Sequence, residues 1–340
     1  MLIDLVTPEA FLAAQQRIEG IVLKTPLVSI KLPGVPGELW LKDEGAQPIG
    51  SFKLRGAVNK ILSLPLEERW SGVITYSSGN HAQGVAYAAR AVGSKAVIVM
   101  PRGAPQIKIA ATRALGAEII FVETASSAER KLKAEQLASE HGYRMIPPYD
   151  DPAIIAGQGT CGLEILDQLP AVDLVLVPVS GGGLLSGIAA AVKHRRPEIS
   201  VIGVEPELAG DARESFLSGS LTTWPAELTT RTLADGLRTQ SLGELNWLHV
   251  RTYVDNIITV TEEEIRAAVR VLYETGPPRA GAAGCSGLVA EPSGAVTTAA
   301  LLFHTTELLP YRKAVAVLSG RNIEAALLTE LLPAAESAHP

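Results

Sequence analysis

The chain predicts an α/β protein with parallel sheets, and three observations predict it. Short, nearly continuous apolar runs recur: Val73-Ile74-Thr75-Tyr76, Ala96-Val97-Ile98-Val99-Met100 and Glu118-Ile119-Ile120-Phe121-Val122. The series continues with Leu174-Val175-Leu176-Val177, Ser200-Val201-Ile202-Gly203-Val204 and Ala314-Val315-Ala316-Val317-Leu318. Longer helical patterns separate the runs, and Gly93, Gly116 and Gly142 stand where such helices end. Runs without polar alternation are buried on both faces, and a helix between each pair is the crossover that a parallel sheet needs.

The first element opens at Thr7-Pro8-Glu9, a threonine N-cap with proline at the first helical position, and predicts an amphipathic helix to about Glu19. The strands from about Gly72 to Met145 form one compact group, and those after Val172 a second, larger one. The prediction is two doubly wound parallel-sheet domains, a large one from 1–68 and 150–335 and a small one from 72–146. Turn-rich Leu64-Pro65 and Pro147-Pro148-Tyr149-Asp150-Asp151-Pro152 are the hinge candidates. The stretch from Thr275 to Gly287, rich in Gly, Pro and Ala, has neither periodicity nor bulk and predicts a loop. No internal repeat is present.

At 340 residues, 47% hydrophobic and 19% charged, the chain carries enough apolar material for a real core and too much for a disordered protein. A net charge of −6 excludes an electrostatic pull toward nucleic acid or anionic membrane. No apolar run approaches the roughly 18 residues of a membrane span. The start Met1-Leu2-Ile3-Asp4-Leu5 lacks the basic region of a signal peptide. Two cysteines, Cys161 and Cys285, make no disulfide framework and suit a reducing compartment. The expectation is a soluble cytoplasmic protein.

Three motifs carry chemistry. Residues 173–179 read as a buried strand and Leu184 onward as a helix, so Ser180-Gly181-Gly182-Gly183 is a strand-to-helix turn. Its bare backbone can aim N–H groups at one point, with the positive end of a helix dipole behind them, which is where a phosphate binds. No Lys-Ser or Lys-Thr follows, so a Walker-type nucleotide site is excluded. Glu205 closes the next strand at the place of a ribose-binding acid, which keeps a dinucleotide-binding Rossmann protein as a rival, though the glycine spacing does not fit it. A tight turn without ligand is the plain alternative.

The second motif is Gly50-Ser51-Phe52-Lys53-Leu54-Arg55-Gly56-Ala57. Most lysines are solvated surface charges. Lys53 instead follows a turn and an apolar Phe52, stands at a helix start, and neighbours Arg55. Desolvation and like charge would both lower its pKa, as a Schiff-base lysine requires. The third motif, Ser77-Ser78-Gly79-Asn80-His81-Ala82-Gln83-Gly84, follows a strand and opens a helix, a natural seat for a carboxylate. Its plain reading is an N-cap at Ser78 or Asn80. An amine nucleophile and a phosphate cradle in one chain point to a phosphorylated aldehyde held as a Schiff base, pyridoxal 5'-phosphate.

These residues resemble the serine/threonine dehydratase and serine racemase family of pyridoxal-phosphate enzymes, fold type II, with tryptophan-synthase-β-like architecture. The resemblance runs from about Ile18 to Asn322. Beyond the three motifs it includes Ile155-Ala156-Gly157-Gln158-Gly159-Thr160, Ala234-Asp235-Gly236, Glu291-Pro292-Ser293-Gly294-Ala295 and Leu318-Ser319-Gly320. It implies that Lys53 carries the cofactor and that Ser180, Gly181, Gly182, Gly183 and Leu184 hold its phosphate by backbone N–H groups. Phe52 would lie near the ring, Asn80 would bond the ring hydroxyl and Ser319 the pyridine nitrogen. Ser77, Ser78, Gly79, Asn80 and His81 would grip the substrate carboxylate. A serine at the pyridine nitrogen need not keep the ring protonated, and the milder electron sink favours loss of a β-leaving group. The resemblance also implies a divalent-cation site, with Glu205, the Ala209 carbonyl and Asp211 as hard oxygen ligands for Mg²⁺ or Ca²⁺. A strand-end acid followed by a helix cap is the alternative there.

The activity so implied is β-elimination from a small-molecule amino-acid substrate such as L-threonine or L-serine, giving a 2-oxo acid and ammonia. Ser78 stands where the racemases have a serine working on the cofactor face opposite the lysine, so amino-acid racemisation stays open. A non-enzymatic binding module would require Lys53 to be incidental. Three departures bear on the substrate. Arg321 replaces a usual glycine, Pro147 replaces a common histidine, and the 275–287 stretch exceeds the usual link. That loop is expected to be mobile and to gate the site or widen it for a bulkier substrate, such as a phenylserine or 3-hydroxyaspartate. No regulatory domain is expected after the last helix, and the resemblance implies a homodimer.

Overall fold

The structure, a computed structural model, describes residues 4–104, 106–123, 126–277, 279, 287–308 and 310–332. Ten strands form two sheets among these residues. Their ranges are β1 Leu27–Ile30, β2 Glu38–Asp43, β3 Val73–Tyr76, β4 Ala96–Pro101, β5 Glu118–Val122, β6 Arg144–Met145, β7 Leu174–Pro178, β8 Ser200–Pro206, β9 Asn256–Val260 and β10 Lys313–Leu318. One sheet has the order β1-β2-β10-β7-β8-β9 and the other β5-β4-β3-β6. Every pairing is parallel except that of β1 with β2.

Alternation along the buried strands feeds two cores per sheet. In the six-stranded sheet Leu174, Leu176, Ala314 and Ala316 face helix Pro292–Phe303, while Val175, Val177, Val315 and Val317 face helix Gly183–Arg195. In the four-stranded sheet Val73, Ile98 and Met100 share a cluster with helices Lys53–Ser63 and Asn80–Ala91. Ile74, Val97 and Val99 pack instead on Ala134 and Leu137 of helix Ser127–His141. Each sheet is therefore covered on both faces, as a run of unbroken apolar residues requires.

Helix Lys53–Ser63 lies between the sheets. Leu54, Ala57, Val58 and Ile61 join the four-stranded sheet's cluster, along with Ile154 of helix Pro152–Gln168. The two helices cross where Gly157 meets Gly56, so closely that a Cβ at Gly157 would stand 2.7 Å from the Gly56 Cα.

The first helix runs Pro8–Ile18, with the Thr7 hydroxyl accepting from the Ala10 N–H. Sequence patterning misses β1, β2 and β9. Strand β2 carries Glu38, Lys42 and Asp43, which break an apolar run. Lys42 is nevertheless fully buried, because its Nζ bonds Glu164 at 2.6 Å and the Thr25 carbonyl at 2.8 Å. Residues 278 and 280–286 of the expected gating loop lie outside the described residues. Among the described residues no helix is long and apolar enough to cross a membrane.

Candidate active site

The segments singled out in the sequence all leave carboxyl ends of parallel strands, the place where open α/β sheets collect ligands. Strand β7 leads into Ser180-Gly181-Gly182, β10 into Ser319-Gly320, β3 into Ser77-Ser78-Gly79, and β2 into the turn before Lys53. Strands β10 and β7 are neighbours, and so are β2 and β10. A short pairing fixes the Lys53 turn against the end of β10. Phe52 donates its N–H to the Ser319 carbonyl at 3.1 Å, and Arg321 donates to the Gly50 carbonyl at 2.9 Å.

Lys53 is the first residue of its helix and half-buried. Its Nζ donates to the Pro148 carbonyl at 2.8 Å and stands 5.2 Å from the Phe52 ring centroid. Burial pushes its pKa down to about 8. The expected like-charge contribution of Arg55 is absent, because Arg55 turns away into the core. Its guanidinium bonds both Glu44 oxygens at 2.8 Å and the Glu164 oxygens at 2.7 and 2.8 Å, which neutralises it. Desolvation alone thus leaves Lys53 an amine that is partly neutral near neutral pH, the form that attacks an aldehyde or takes a proton.

The glycine turn is built as a cradle. Gly182, at φ +95°, occupies the N-cap of helix Gly183–Arg195, a conformation suited to glycine. Among the described residues no group accepts a hydrogen bond from the N–H of Gly181, Gly182, Gly183 or Leu184. The Ser180 hydroxyl lies 2.7 Å from that of Thr239. The Tyr149 ring covers Gly181 so closely that a Cβ there would fall 2.5 Å from it. Tyr149 follows Pro148, whose carbonyl holds Lys53, so amine and cradle meet across one peptide segment. Unpaired N–H groups at a helix N-terminus beside a desolvated amine fit a phosphorylated aldehyde.

Helix Asn80–Ala91 opens differently from either N-cap reading. Gly79 is the N-cap, and no side chain caps the helix. The Ser77 hydroxyl accepts from the Gly79 N–H at 3.3 Å, and among the described residues the Ser78 hydroxyl has no partner. Ser77, Ser78, Gly79 and Asn80 are all half-exposed. The His81 ring is buried, and its Nε2 bonds the Ile146 carbonyl at 3.0 Å. Burial, aided by the Lys53 charge, lowers its pKa to about 3. His81 is therefore a neutral core side chain, and only its backbone N–H faces the helix mouth.

Asn80 donates to Glu291 Oε1 at 2.8 Å and accepts from Asn322 Nδ2 at 2.7 Å. Ser319 is buried, its hydroxyl 3.4 Å from the Ser293 carbonyl. Sequence reading missed the parts played by Tyr149, Glu291 and Asn322. Glu291 stood inside a quoted motif without a role, and the aromatic residue of the Pro-rich hinge was the signal for Tyr149.

At the cation candidate, Glu205 and Asp211 are both buried. Glu205 accepts from the N–H groups of Ala212 at 3.3 Å and Arg213 at 2.6 Å, capping helix Asp211–Ser218. Burial, with the Asp211 charge, raises the Glu205 pKa well above the carboxylate range, and burial lifts Asp211 to about 7. Asp211 Oδ2 has no partner among the described residues. Two crowded carboxyls with an orphaned oxygen fit a hard cation. Among the described residues no cluster of three His, Cys, Asp or Glu exists, so such an ion would also draw on backbone carbonyls and water.

Comparison with known proteins shows the family. The chain belongs to the pyridoxal-phosphate dependent enzyme family, whose sequence model matches residues 18–320. It is 39% identical over 315 residues to an L-threo-3-hydroxyaspartate ammonia-lyase of Saccharomyces cerevisiae, covering 92% of each chain. It is 40% identical over 326 residues to a catabolic L-threonine dehydratase of Escherichia coli, covering 94% of this chain and 93% of that one. The solved structure of maize serine racemase superposes with a TM-score of 0.88 at 36% identity, covering 96% of this chain and 97% of that one. The fold is that of fold type II pyridoxal-phosphate enzymes, and the cofactor is pyridoxal phosphate.

Proposed function

We propose that this chain is an ammonia-lyase that dehydrates a small β-hydroxy amino acid, such as L-threonine or L-serine, to a 2-oxo acid and ammonia. The carrying observation is the meeting of the Lys53 amine and the glycine cradle across Pro148 and Tyr149. When bound, the cofactor supplies an electron-withdrawing ring that acidifies the substrate Cα–H and expels the β-substituent. The N–H groups of Gly181, Gly182, Gly183 and Leu184, with Ser180, hold its phosphate. Lys53, with its pKa lowered to about 8, would hold the cofactor and would accept the substrate Cα proton at Nζ. The backbone at the mouth of helix Asn80–Ala91, with Ser77 and Ser78, binds the substrate carboxylate. Ser319 would offer a neutral hydroxyl to the ring nitrogen, Asn80 would bond the ring oxygen, and Phe52 would lie near the ring.

A second reading rests on Ser78. Its unpartnered hydroxyl suits a group that returns a proton on the face opposite Lys53, which would make the chain an amino-acid racemase as well. The yeast relative favours 3-hydroxyaspartate among bulkier substrates. The two sheets support a division into 1–68 with 150–335 and 72–146, and Glu205, Ala209 and Asp211 are the proposed Mg²⁺ or Ca²⁺ ligands. A cytoplasmic homodimer completes the reading, supported by family resemblance and cysteine usage. Incubation with L-threonine, L-serine and L-threo-3-hydroxyaspartate should release a 2-oxo acid from at least one. Chiral analysis of the recovered amino acid separates the two activities. If none of the three yields an oxo acid, the lyase reading fails.

A further inference from the structure

Asparagine amides can face either way, and a backbone carbonyl decides the matter here. Asn322 places one end of its amide 2.9 Å from the Ile49 carbonyl, which can only accept, so that end is Nδ2. The same nitrogen lies 2.7 Å from Asn80, so the facing Asn80 atom must be its acceptor, Oδ1. Asn80 Nδ2 then points the other way, and one of its two N–H bonds goes to Glu291 Oε1 at 2.8 Å. Both hydrogens of Asn322 are spent and the Asn80 oxygen is taken. One N–H remains free, on a half-exposed residue in the first turn of helix Asn80–Ala91. That helix touches the Lys53 turn, since a Cβ at Gly84 would lie 3.2 Å from the Lys53 carbonyl oxygen.

We propose that Asn322 and Glu291 are positioning residues that hold the Asn80 amide as an obligate donor toward the cofactor's ring oxygen. The inference rests on the cofactor reading above and concerns what orients Asn80. A flipped amide would turn a carbonyl oxygen on that ring oxygen and repel it. The locked amide makes a hydrogen bond that strengthens as the ring oxygen becomes anionic. The relay starts at Ile49, four residues before Lys53, and so ties the amide to the segment that leads into the lysine.

The test uses purified protein reconstituted with pyridoxal phosphate. Its readouts are the cofactor dissociation constant and the ratio of the bound cofactor's two absorption bands, which reports whether the ring oxygen carries a proton. Asn322→Asp places an acceptor opposite Asn80 and reverses the amide. It should weaken cofactor binding about tenfold or more and shift the ratio toward the protonated form. Glu291→Leu should move both readouts in the same direction, whereas Glu291→Gln keeps an acceptor oxygen and should restore them. If Asn322→Asp does not fold, Asn322→Ala, which leaves Glu291 alone to hold the amide, should give a smaller shift of the same sign. Variants that fold and keep the wild-type band ratio overturn the proposal, even if turnover falls. A wild-type chain that stays colourless with added cofactor removes the cofactor reading itself and this proposal with it.

Discussion

Lys53 shows how one side chain acquires its chemistry from what surrounds it. The ammonium sits between an aromatic ring and a backbone carbonyl, and burial alone brings its pKa to about 8. The neutral amine is the reactive form, so the apoprotein's rate of cofactor uptake should climb with pH and level off above about 8. Stopped-flow absorbance measures that profile, and a profile flat from pH 6 to about 9 would contradict the assignment. Lys53→Ala should retain folded structure, lose the borohydride-fixable link, and lower elimination by about a thousandfold or more. The sequence pointed to desolvation and to Arg55 as causes of the lowered pKa, and only desolvation acts, because Arg55, two positions on, turns into the core.

That misattribution is explained at the level of elements. Helix Lys53–Ser63 is anchored by Arg55, whose guanidinium joins Glu44, after β2, to Glu164 of helix Pro152–Gln168. Both Arg55 and Glu44 are fully buried, and the Arg55 charge holds the Glu44 carboxyl down at about 2 against the opposing effect of burial. Removing one member leaves uncompensated charge in the core. Arg55→Leu should therefore cost about 3–5 kcal/mol in urea unfolding of the apoprotein. A loss under about 1 kcal/mol would mean that the carboxylates simply protonate or find water. Two Glu, a Lys and an Arg spread from position 42 to position 164 cannot be recognised as one cluster until three elements meet. The same burial of paired charge hid β2 from a reading based on apolar runs.

Across the whole molecule, the two sheets flank the site, and among the described residues an ion pair links a helix of one to a turn beside the other. Lys108, on helix Gln106–Ala114, pairs with Asp235 in the turn Asp235–Leu237. Asp235 is more than a third exposed, so water and salt screen the pair. Its stability contribution is about 0–1 kcal/mol. Because the pair links the two halves around the site, its expected effect is on substrate binding rather than on stability. Lys108→Ala should leave the melting temperature nearly unchanged and raise KM for the amino acid by up to about fivefold. Wild type should lose the difference as salt increases. An unchanged KM at low salt would show that the pair has no part in binding.

The sequence by itself determined the sheet class, and it placed a lysine at a helix start and a glycine turn before a helix, because each depends on residues adjacent in the chain. Unbroken apolar runs need two covered faces, and three glycines before a helix leave the backbone unscreened by side chains. The tertiary structure alone decided which groups lower the Lys53 pKa, that His81 serves the core, and that Tyr149 joins amine to cradle. It also decided that Asn322 and Glu291 aim Asn80. Those facts rest on contacts between residues far apart in the chain, such as His81 with Ile146, 65 positions on, and Asn322 with Ile49, 273 positions away. Burial and hydrogen-bond direction are properties of such contacts, and no local pattern carries them.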